Sequence, residues 1–497
     1  MSEVSITKSD YMLSRVHPAW LWLKKHQLER LPPLTAQQQQ RFDAGSAFEP
    51  LVEQRFAGAV DLGFSNWSSY RTLTERTREA LDGGARTIFQ GRFEHGPFTF
   101  ICDIVDVVDQ NVVDLYEIKS STRVKPEHLY DLAFQLFVLE GAGYEARNIS
   151  VIHVNPSFVR HGDIDPLELS SVTDVTEKVR ALEVSTATAA AHALATVLRP
   201  TMPDPSPSLA SRQGLRGWLE IHQTLWPSGE DSIYSSVLIS PALLATCEEL
   251  GISKLADIPP HLVERPALVA HIEAAKAGGI NIDKQKIREW LSTLEYPLYF
   301  LDYETAAGVV PPYDGVKPYE QVPFQYSLHV LDSPDSEVRH AMYLHEMADM
   351  PAGQLVPHLL SSIGNNGSIV AWSMGFEQRC NETMARLVSE YSADLLALNE
   401  RMRDPIELFY KGYYADIQLG GSASIKKVLP ALVPELSYRN MAIADGAVAQ
   451  KRWMEAVLSL SMDECERRVV FDELREYCAL DTLAMVEIFR KLCEVSQ

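Results

Sequence analysis

A short stretch in the second half of the chain carries an apolar run directly into two acids. The run from Pro297 to Leu301 ends at Asp302, and Glu304 follows two residues later. In an extended strand, that spacing places both side chains on one face. Two carboxylates side by side at the end of a buried strand repel each other and are costly to desolvate, and Mg²⁺ or Mn²⁺ relieves both costs. Two solvated acids on an edge strand are the alternative.

Two further acids follow on separate predicted elements. Glu377 comes just after the apolar strand pattern of residues 367–372, and Asp481 lies in a predicted helix over about 463–493. Tyr477 shares a helix face with Asp481 at a spacing of four residues. Four acids on three elements suit hydrolysis of a phosphodiester by two metal ions roughly 3.5–4 Å apart, and the tyrosine would position the water. A solvated Asp481 at the edge of an apolar stripe is the alternative. Asp404 and Asp416 are weaker candidates for the same site.

The first half contains a second group of charged and polar residues with catalytic potential. Strands are predicted over 87–93, 98–108 and 112–119, and turn residues separate them. The second strand carries Asp103, the third carries Glu117 and Lys119, and the next predicted helix, 127–140, carries Asp131 and Gln135 on one face. Asp103 and Glu117 are suited to hold a metal, and Lys119 to orient water or stabilise charge on a phosphate. A structural ion pair is the alternative for Lys119.

The region 41–143 resembles the RecB-type PD-(D/E)XK nucleases. The resemblance implies that Asp103, Glu117 and Lys119 form the catalytic core and that Gln135 adds a fourth, helix-borne element. Relatives carry a GxxxHxxxE helix before the core, and here Glu49 stands in the position of the histidine. We therefore expect Glu49 to be a metal ligand as well, with Glu53 on the same face, although a solvated acidic face is the alternative.

Many of these relatives hold an iron–sulfur cluster with four cysteines, which this chain does not supply. His17 stands where the first cysteine is expected, and the segment 198–227 contains no cysteine. The six cysteines of the whole chain form no CxxC pair, which indicates reduced thiols. Because cluster ligation needs about four thiolates, we expect no iron–sulfur cluster.

The acids of the second half resemble a known pattern too. Asp302, Glu304, Glu377 and Asp481, with Tyr477 in a Tyr-x3-Asp motif, resemble the DEDD exonucleases of the RNase H-like fold. Glu377 is a departure, because that superfamily usually has Asp there. Between Glu377 and Asp481 in the sequence, the segment 420–427 offers backbone N–H groups, hydroxyls and lysines to a phosphate. Its candidate nucleic-acid-binding residues are Ser422, Ser424, Lys426 and Lys427.

Four aromatic residues in 311–326 are candidates for stacking on bases, with core packing as the alternative: Tyr313, Tyr319, Phe324 and Tyr326.

The chain as a whole resembles a bacterial two-domain nuclease family. The stretches YFLDYET, PFQYS, SIKKVLPAL and YCALDT carry this resemblance. It implies an α/β protein with a RecB-like PD-(D/E)XK, restriction-endonuclease-like domain over 1–197. A Pro/Ser-rich linker and helical connector would follow over 198–294, and an RNase H-like mixed-sheet exonuclease domain over 295–497.

Composition limits the partners. The chain has 67 acids and 45 bases, a formal net charge of −22, which argues against a broadly basic surface. No signal peptide and no apolar run of 18 residues is visible, so we expect a cytoplasmic protein without membrane contact.

The sequence therefore predicts a nuclease dependent on Mg²⁺ or Mn²⁺, with a 3′→5′ exonuclease in the C-terminal domain and a second nuclease in the N-terminal domain. Single-stranded or end-containing DNA is favoured over RNA as the substrate, and DNA repair or defence as the setting. The alternatives are that one domain is an inactive nucleic-acid-binding module, or that the protein is an RNA-processing exonuclease. A protein partner is left open.

Overall fold

A computed structural model describes residues 4–439, 441–458 and 462–497, without the side chains of residues 36 and 37. The chain divides into two compact units. The first comprises Met1–Pro227 and Val309–Pro318, and the second comprises Ser228–Gly308 and Tyr319–Gln497. Residues 198–227, which the sequence analysis assigned to a linker and connector, fall within the first unit.

The first unit combines helices with two sheets. Its helices are α1 (Lys8–Val16), α2 (Pro18–His26), α3 (Ala36–Glu53), α4 (Trp67–Arg71), α5 (Leu73–Asp82), α6 (Pro126–Gly141), α7 (Pro166–Leu169), α8 (Thr176–Arg180), α9 (Glu183–Val197) and α10 (Leu215–Leu225). Its strands are β1 (Ile6–Thr7), β2 (Val60–Asp61), β3 (Thr87–Phe89), β4 (Arg92–His95), β5 (Phe98–Ile101), β6 (Ile104–Asp109), β7 (Val112–Lys119), β8 (Glu145–Val154) and β9 (Ser170–Asp174).

The larger sheet has the order β2-β3-β6-β7-β8-β9, and the smaller has the order β1-β5-β4. β6 and β7 form an antiparallel hairpin, whereas β7 and β8 run parallel. Parallel neighbours need a crossover connection, and α6 supplies it. The sheet is mixed, and its centre is the strand β7 that ends in Glu117 and Lys119.

The single strand predicted over 98–108 is wrong, because the chain changes sheets in the middle of it. β5 ends at Ile101 and β6 begins at Ile104. Cys102 N donates to Gly91 O at 2.8 Å, which turns the chain away from β5. The break leaves Asp103 between the two sheets instead of within a strand.

The first two helices, α1 and α2, are separated at His17. This residue has extended backbone angles, as expected for a residue that precedes a proline. Thr7 and Asp10 form a capping box at the start of α1, and His17 Nδ1 accepts a hydrogen bond from Ala19 N at the start of α2. The buried His17 ring also stacks on Trp218, with ring centroids 4.2 Å apart.

The second unit is built in the same mixed way. Its helices are α11 (Pro241–Glu249), α12 (Pro266–Lys276), α13 (Lys284–Leu291), α14 (Ala352–Ser362), α15 (Gly375–Leu387), α16 (Ser392–Glu400), α17 (Ile406–Tyr410), α18 (Ile425–Leu432), α19 (Gly446–Leu458) and α20 (Glu464–Ser496). Its strands are β10 (Ile280–Ile282), β11 (Leu298–Ala306), β12 (Val322–Leu331), β13 (Arg339–Leu344), β14 (Ser368–Val370), β15 (Met402–Arg403) and β16 (Tyr414–Asp416).

The main sheet of this unit has the order β13-β12-β11-β14-β15. β12 is antiparallel to both β11 and β13, and β14 and β15 run parallel to β11. The long helix α20 packs on β11 and β12, and a capping box formed by Asp463 and Glu466 fixes its start. Because β11 is central and nearly all buried, the acids on it lie inside the unit.

The prediction of an α/β protein is confirmed at the level of mixed sheets covered by helices. Among the residues that the structure describes, no helix combines the length and the apolar character that crossing a membrane requires.

Candidate metal centres

The end of β7 holds the first group of charged side chains, the N-terminal acid cluster. It comprises Glu49, Asp103, Glu117 and Asp131, with Lys8 and Lys119. Glu117 is 1% exposed, and its Oε1 lies 2.6 Å from Lys119 Nζ. Lys119 Nζ also donates to Asp131 Oδ2 at 2.7 Å. The i, i+2 spacing on a strand therefore places Glu117 and Lys119 on one face, as the sequence predicted.

Asp103 reaches this cluster from the break between β5 and β6. Its Oδ2 accepts a hydrogen bond from Ile118 N at 2.7 Å, which ties it to the strand that carries Glu117. Burial raises the pKa of Asp103 to about 7, and the negative charge of Glu117 adds to the rise. The charges of Lys8 and Lys119 offset this rise only in part, so Asp103 is a candidate metal ligand.

Gln135 enters the cluster from α6, as expected. Its Nε2 donates to Glu117 Oε2 at 2.6 Å and to Asp131 Oδ1 at 3.1 Å. Its Oε1 is buried and has no hydrogen-bond partner among the described residues. Gln135 thus fixes Glu117 and leaves one unpaired acceptor inside the protein.

Lys8 is a member that the sequence analysis missed. It is the first residue of α1, and its Nζ lies 2.9 Å from Glu117 Oε1 and 3.6 Å from Asp131 Oδ1. Burial by itself would lower the pKa of Lys8, but the charges of Asp131 and Glu117 raise it well above its usual value. A lysine at a helix N-terminus faces the positive end of the helix dipole, so its position there was a weak signal that an acid lies nearby.

Glu49 borders the cluster on α3. Its Oε1 accepts a hydrogen bond from the Gln90 amide. Burial raises the pKa of Glu49, and the charge of Glu117 raises it further. Glu53 shows the same direction of shift, from burial and the charge of Glu49. The structure thus brings Glu49 near the other acids.

The charges of the N-terminal acid cluster do not balance. Four carboxylates face two ammonium groups, an excess of two negative charges, which one divalent cation would offset. However, Glu117 Oε1 receives both Lys8 and Lys119, and Oε2 receives Gln135. In this arrangement, the lysines of the chain already neutralise Glu117 and Asp131, and Asp103 and Glu49 form no ion pair among the described residues.

The second group, the C-terminal acid cluster, lies between β11, α15 and α20 and comprises Asp302, Glu304, Glu377 and Asp481. Asp302 and Glu304 alternate with buried apolar residues on β11, so both face the same side. Burial raises the pKa of Asp302 well above its usual value, and the charge of Asp481 adds to it. Burial does the same for Glu304, followed by the charge of Asp302.

Glu377 is 2% exposed and lies in the first turn of α15. Its Oε2 has no hydrogen-bond partner among the described residues. Burial raises the pKa of Glu377 well above its usual value, and the charges of Asp302, Glu304 and Asp481 raise it further, so the four acids are close to one another. A buried carboxylate with one oxygen unpaired is costly unless a cation compensates it, so these four residues fit one or two divalent cations.

Asp481 is bound by the hydroxyl groups of two tyrosines. Tyr438 donates from its hydroxyl to Asp481 Oδ1 at 2.7 Å. Burial raises the pKa of Asp481 to about 6, while the hydroxyls of Tyr438 and Tyr477 and the charge of Lys426 limit the rise. The structure therefore brings Tyr477 to Asp481, as the helix spacing predicted, and adds Tyr438, which no sequence pattern singled out.

Lys426 belongs to this cluster rather than to an open phosphate loop. Its Nζ donates to Ala444 O at 2.7 Å and lies 5.5 Å from the Tyr477 ring centroid. Ser422 accepts from Ser424 N at 3.3 Å, and Ser424 and Lys427 are exposed. Of the four candidate nucleic-acid-binding residues, the structure thus brings only Lys426 to the acids.

The glycine pair before these residues has a packing role. A Cβ on Gly420 would lie 2.5 Å from Ser235 O, and a Cβ on Gly421 would lie 2.4 Å from the Leu238 side chain. Both glycines have positive φ, at 56° and 72°. The pair lets the connector segment 235–238 approach closely.

Other candidates prove structural. Phe324 is fully buried and stacks on Trp453 with ring centroids 4.3 Å apart, and the fully buried Tyr326 shares a hydrogen bond with His358. Core packing, the alternative to base stacking, is therefore confirmed for these two rings. Tyr313 and Tyr319 are partly exposed.

Asp404, a weaker candidate, accepts hydrogen bonds from Met374 N at 2.8 Å and Ile406 N at 3.0 Å. It therefore holds the turn that starts α15. Asp416 accepts from Gln418 N at 2.9 Å and so caps a short turn. Neither side chain is a member of the acid cluster.

The fold and these two centres define a mixed α/β protein with buried carboxylates in each unit. A family model described as "Domain of unknown function (DUF2779)" matches residues 299–424, the part that carries Asp302, Glu304 and Glu377. Comparison with curated proteins and with solved structures gave no match.

Proposed function

We propose that the second unit is a metal-dependent phosphodiesterase of the DEDD exonuclease type, which shortens single-stranded DNA from its 3′ end. The observation that carries the proposal is the unpaired Glu377 Oε2, buried beside three other acids from β11 and α20. Carboxylates collected in this way destabilise a fold by several kcal/mol unless a cation is bound. The order and directions of the five strands support an RNase H-like sheet.

Asp302, Glu304, Glu377 and Asp481 would hold Mg²⁺ or Mn²⁺. When bound, such ions stabilise negative charge on the phosphate and acidify a water molecule. Burial raises the pKa of Tyr477, so its hydroxyl stays protonated and orients the water by hydrogen bonding instead of acting as a base. Lys426, beside the tyrosine rings, supplies positive charge that draws the phosphate to the acids.

For the first unit we propose a RecB-like nuclease of the PD-(D/E)XK type. The β6–β7 hairpin, which brings Asp103, Glu117 and Lys119 together with Gln135 from α6, supports it. The second candidate is an inactive nucleic-acid-binding module. The double ion pair of Glu117 Oε1 with Lys8 and Lys119 favours that candidate, because the chain itself supplies the positive charge there.

The resemblance to the two-domain family supports a setting in DNA repair or defence within the cytoplasm, with DNA as the substrate of both units. An RNA-processing exonuclease would use the same metal chemistry and differs only in the strand that it binds. The negative charge of the chain implies substrate affinity that falls steeply with salt.

The test is a cleavage assay with Mn²⁺ on single-stranded DNA labelled at either end, with a matched RNA strand in parallel. We expect Asp302→Ala to slow stepwise 3′ shortening at least about 100-fold, since losing even a residue that only orients a metal ligand costs about 10–100-fold. Asp335→Ala, which changes an exposed acid of the same unit, should retain activity. Equal activity of wild type and Asp302→Ala would refute the proposal for the second unit.

Lys119→Ala tests the first unit in the same assay. Loss of a product pattern that Asp302→Ala retains would support a second nuclease. If Lys119→Ala cleaves like wild type, the first unit is the binding module. Cleavage of RNA alone would replace the DNA proposal with the RNA-processing alternative.

A further inference from the structure

A thiol lies inside the C-terminal acid cluster. Cys478 follows Tyr477 on α20 and is fully buried. Its Sγ lies 4.0 Å from Asp302 Oδ2. Sγ and one carboxylate oxygen from each of Asp302 and Glu304 lie within 4.8 Å of one another. A buried cysteine usually fills apolar space, but this one faces two carboxylates.

A second observation at the same place points to a bound cation. Glu377 is only 2% exposed, and its Oε2 has no hydrogen-bond partner among the described residues. The Glu377 carboxylate interacts electrostatically with Asp302, Glu304 and Asp481 and with the thiol itself, so it lies in the same buried group. The cluster thus offers four carboxylates and one sulfur donor, and Lys426 lies at its rim.

We propose that Cys478 is a metal ligand and that the C-terminal acid cluster binds a zinc-class cation, Zn²⁺ or Cd²⁺, through the Cys478 thiolate, Asp302 and Glu304. The inference rests on the proposed metal-binding role of this cluster and adds a ligand and a cation class to it. As the sulfur–metal bond forms, the thiol proton leaves to solvent, and no oxidation or reduction takes place.

The distances are close to those that such an ion needs. Zinc–sulfur bonds of about 2.3 Å and zinc–oxygen bonds of about 2.0–2.2 Å, at tetrahedral angles, separate the donor atoms by about 3.5 Å. The observed 4.0 Å between Cys478 Sγ and Asp302 Oδ2 closes to this value with a small side-chain movement. Three protein ligands leave a fourth position, which Glu377 or water can fill.

The sulfur donor changes which cation the cluster prefers. Mg²⁺ is a hard cation that takes oxygen ligands, whereas zinc-class ions bind thiolate strongly. A zinc-class ion on Cys478 also uses Asp302 and Glu304, the acids that the proposed hydrolysis needs for Mg²⁺ or Mn²⁺. Zn²⁺ therefore competes for the same site and inhibits the enzyme.

The test is a titration of the full chain with Cd²⁺, followed by the ultraviolet charge-transfer band of a thiolate–cadmium bond. Cys465→Ser and Cys493→Ser remove the exposed and half-buried thiols of α20 and form the background. We expect this background to show the band at one equivalent of Cd²⁺. Adding Cys478→Ser should abolish the band. It should also weaken Zn²⁺ binding, measured by competition with Cd²⁺, by at least about tenfold, since losing even a residue that only orients a metal ligand costs about 10–100-fold.

A band that persists in Cys478→Ser, or that is absent from the background protein, overturns the inference. If Cys478→Ser fails to fold, Asp302→Asn keeps the thiol and should weaken Cd²⁺ binding about tenfold; unchanged binding then overturns it. Mn²⁺ binding by the background protein reports separately on the proposed function. A Cys478-dependent band in a protein that binds no Mn²⁺ supports the thiolate site and rejects the Mg²⁺- or Mn²⁺-dependent nuclease.

Discussion

Tyr438 donates a 2.7 Å hydrogen bond from its hydroxyl to Asp481 Oδ1, across 43 residues of sequence. The bond stabilises the ionised form of Asp481 inside the protein, where burial favours the protonated form. Together with Tyr477 and Lys426, it limits the pKa of Asp481 to about 6. The pKa of Asp481 is thereby held closer to its ordinary value than burial alone would allow.

Tyr438→Phe should shift the pH dependence of metal binding. Without the hydroxyl, the pKa of Asp481 rises above 6, so Mn²⁺ binding should require a pH about one unit higher, since a hydrogen bond to a charged group is worth about 1.5–3 kcal/mol. Calorimetric Mn²⁺ titrations between pH 5 and 9 measure this. Tyr410→Phe, which changes an exposed tyrosine of the same unit, should leave the profile unchanged. A Tyr438→Phe profile identical to wild type would contradict the role of the bond.

The metal-free protein should lose stability as the pH rises. The pKa values of Asp302, Glu304 and Glu377 are raised in the folded state, so their contribution to stability is fully present below their unfolded values and is lost as the pH rises through the folded values. With a chelator, we expect the melting temperature to fall between about pH 4 and pH 8. Mn²⁺ should restore it most at the alkaline end. A melting temperature that does not respond to Mn²⁺ at pH 8 would count against the metal centre.

Glu377→Gln separates stability from metal binding. The change removes one buried charge from the cluster and keeps the shape of the side chain. At pH 8 without metal, it should raise the free energy of unfolding by about 1–3 kcal/mol, and it should weaken the stabilisation by Mn²⁺. Glu382→Gln changes an exposed acid on the same helix and should do neither. Chemical denaturation with and without Mn²⁺ gives both quantities, and a destabilised metal-free Glu377→Gln would argue that Glu377 has a structural partner.

Lys8 and Lys119 should be coupled, because both bind Glu117 Oε1. Either Lys8→Met or Lys119→Met leaves one ammonium group on the carboxylate, whereas the double variant leaves it buried without either lysine. We expect the double variant to cost about 1–3 kcal/mol more than the sum of the single changes. Urea denaturation of the four proteins measures the coupling, with exposed Lys178→Met as the control. Additive effects would show that the two lysines act independently.

Gly420→Ala should destabilise the second unit. A Cβ at this position would lie 2.5 Å from the Ser235 carbonyl oxygen, and the backbone has a φ of 56°. The strain should lower the free energy of unfolding by about 1–3 kcal/mol. Gly353→Ala, on α14 with open space around it, should be neutral or slightly stabilising. Thermal unfolding of the two variants measures the difference. Equal stabilities of Gly420→Ala and Gly353→Ala would show that the close packing of segment 235–238 does not require a glycine at position 420.

Local patterns predicted the elements that carry the acids. The apolar run before Asp302 predicted the buried strand β11, and the four-residue spacing of Tyr477 and Asp481 predicted their shared helix face. The pair Glu117 and Lys119 was likewise predicted to share a strand face. These predictions succeeded because strand and helix periodicity are properties of the backbone, independent of what packs against it.

Sequence reasoning failed where a residue's role depends on a distant partner. Lys8 meets Glu117 across 109 residues, and nothing within α1 identifies that partner. The strand predicted over 98–108 breaks because Cys102 and Asp103 bond to other segments. Phe324 and Tyr326 carry the same aromatic rings that a base-stacking surface would use, and only burial against Trp453 and His358 distinguishes the two roles.

The sequence by itself determined the mixed α/β character and the faces on which the acids lie. Only the tertiary structure decided which acids share a cluster, which of their oxygens lack a partner, and that Cys478 and Tyr438 join them. The physical reason is range: side-chain direction repeats along a helix or strand, whereas desolvation and charge–charge energies depend on what the folded chain brings within a few ångströms.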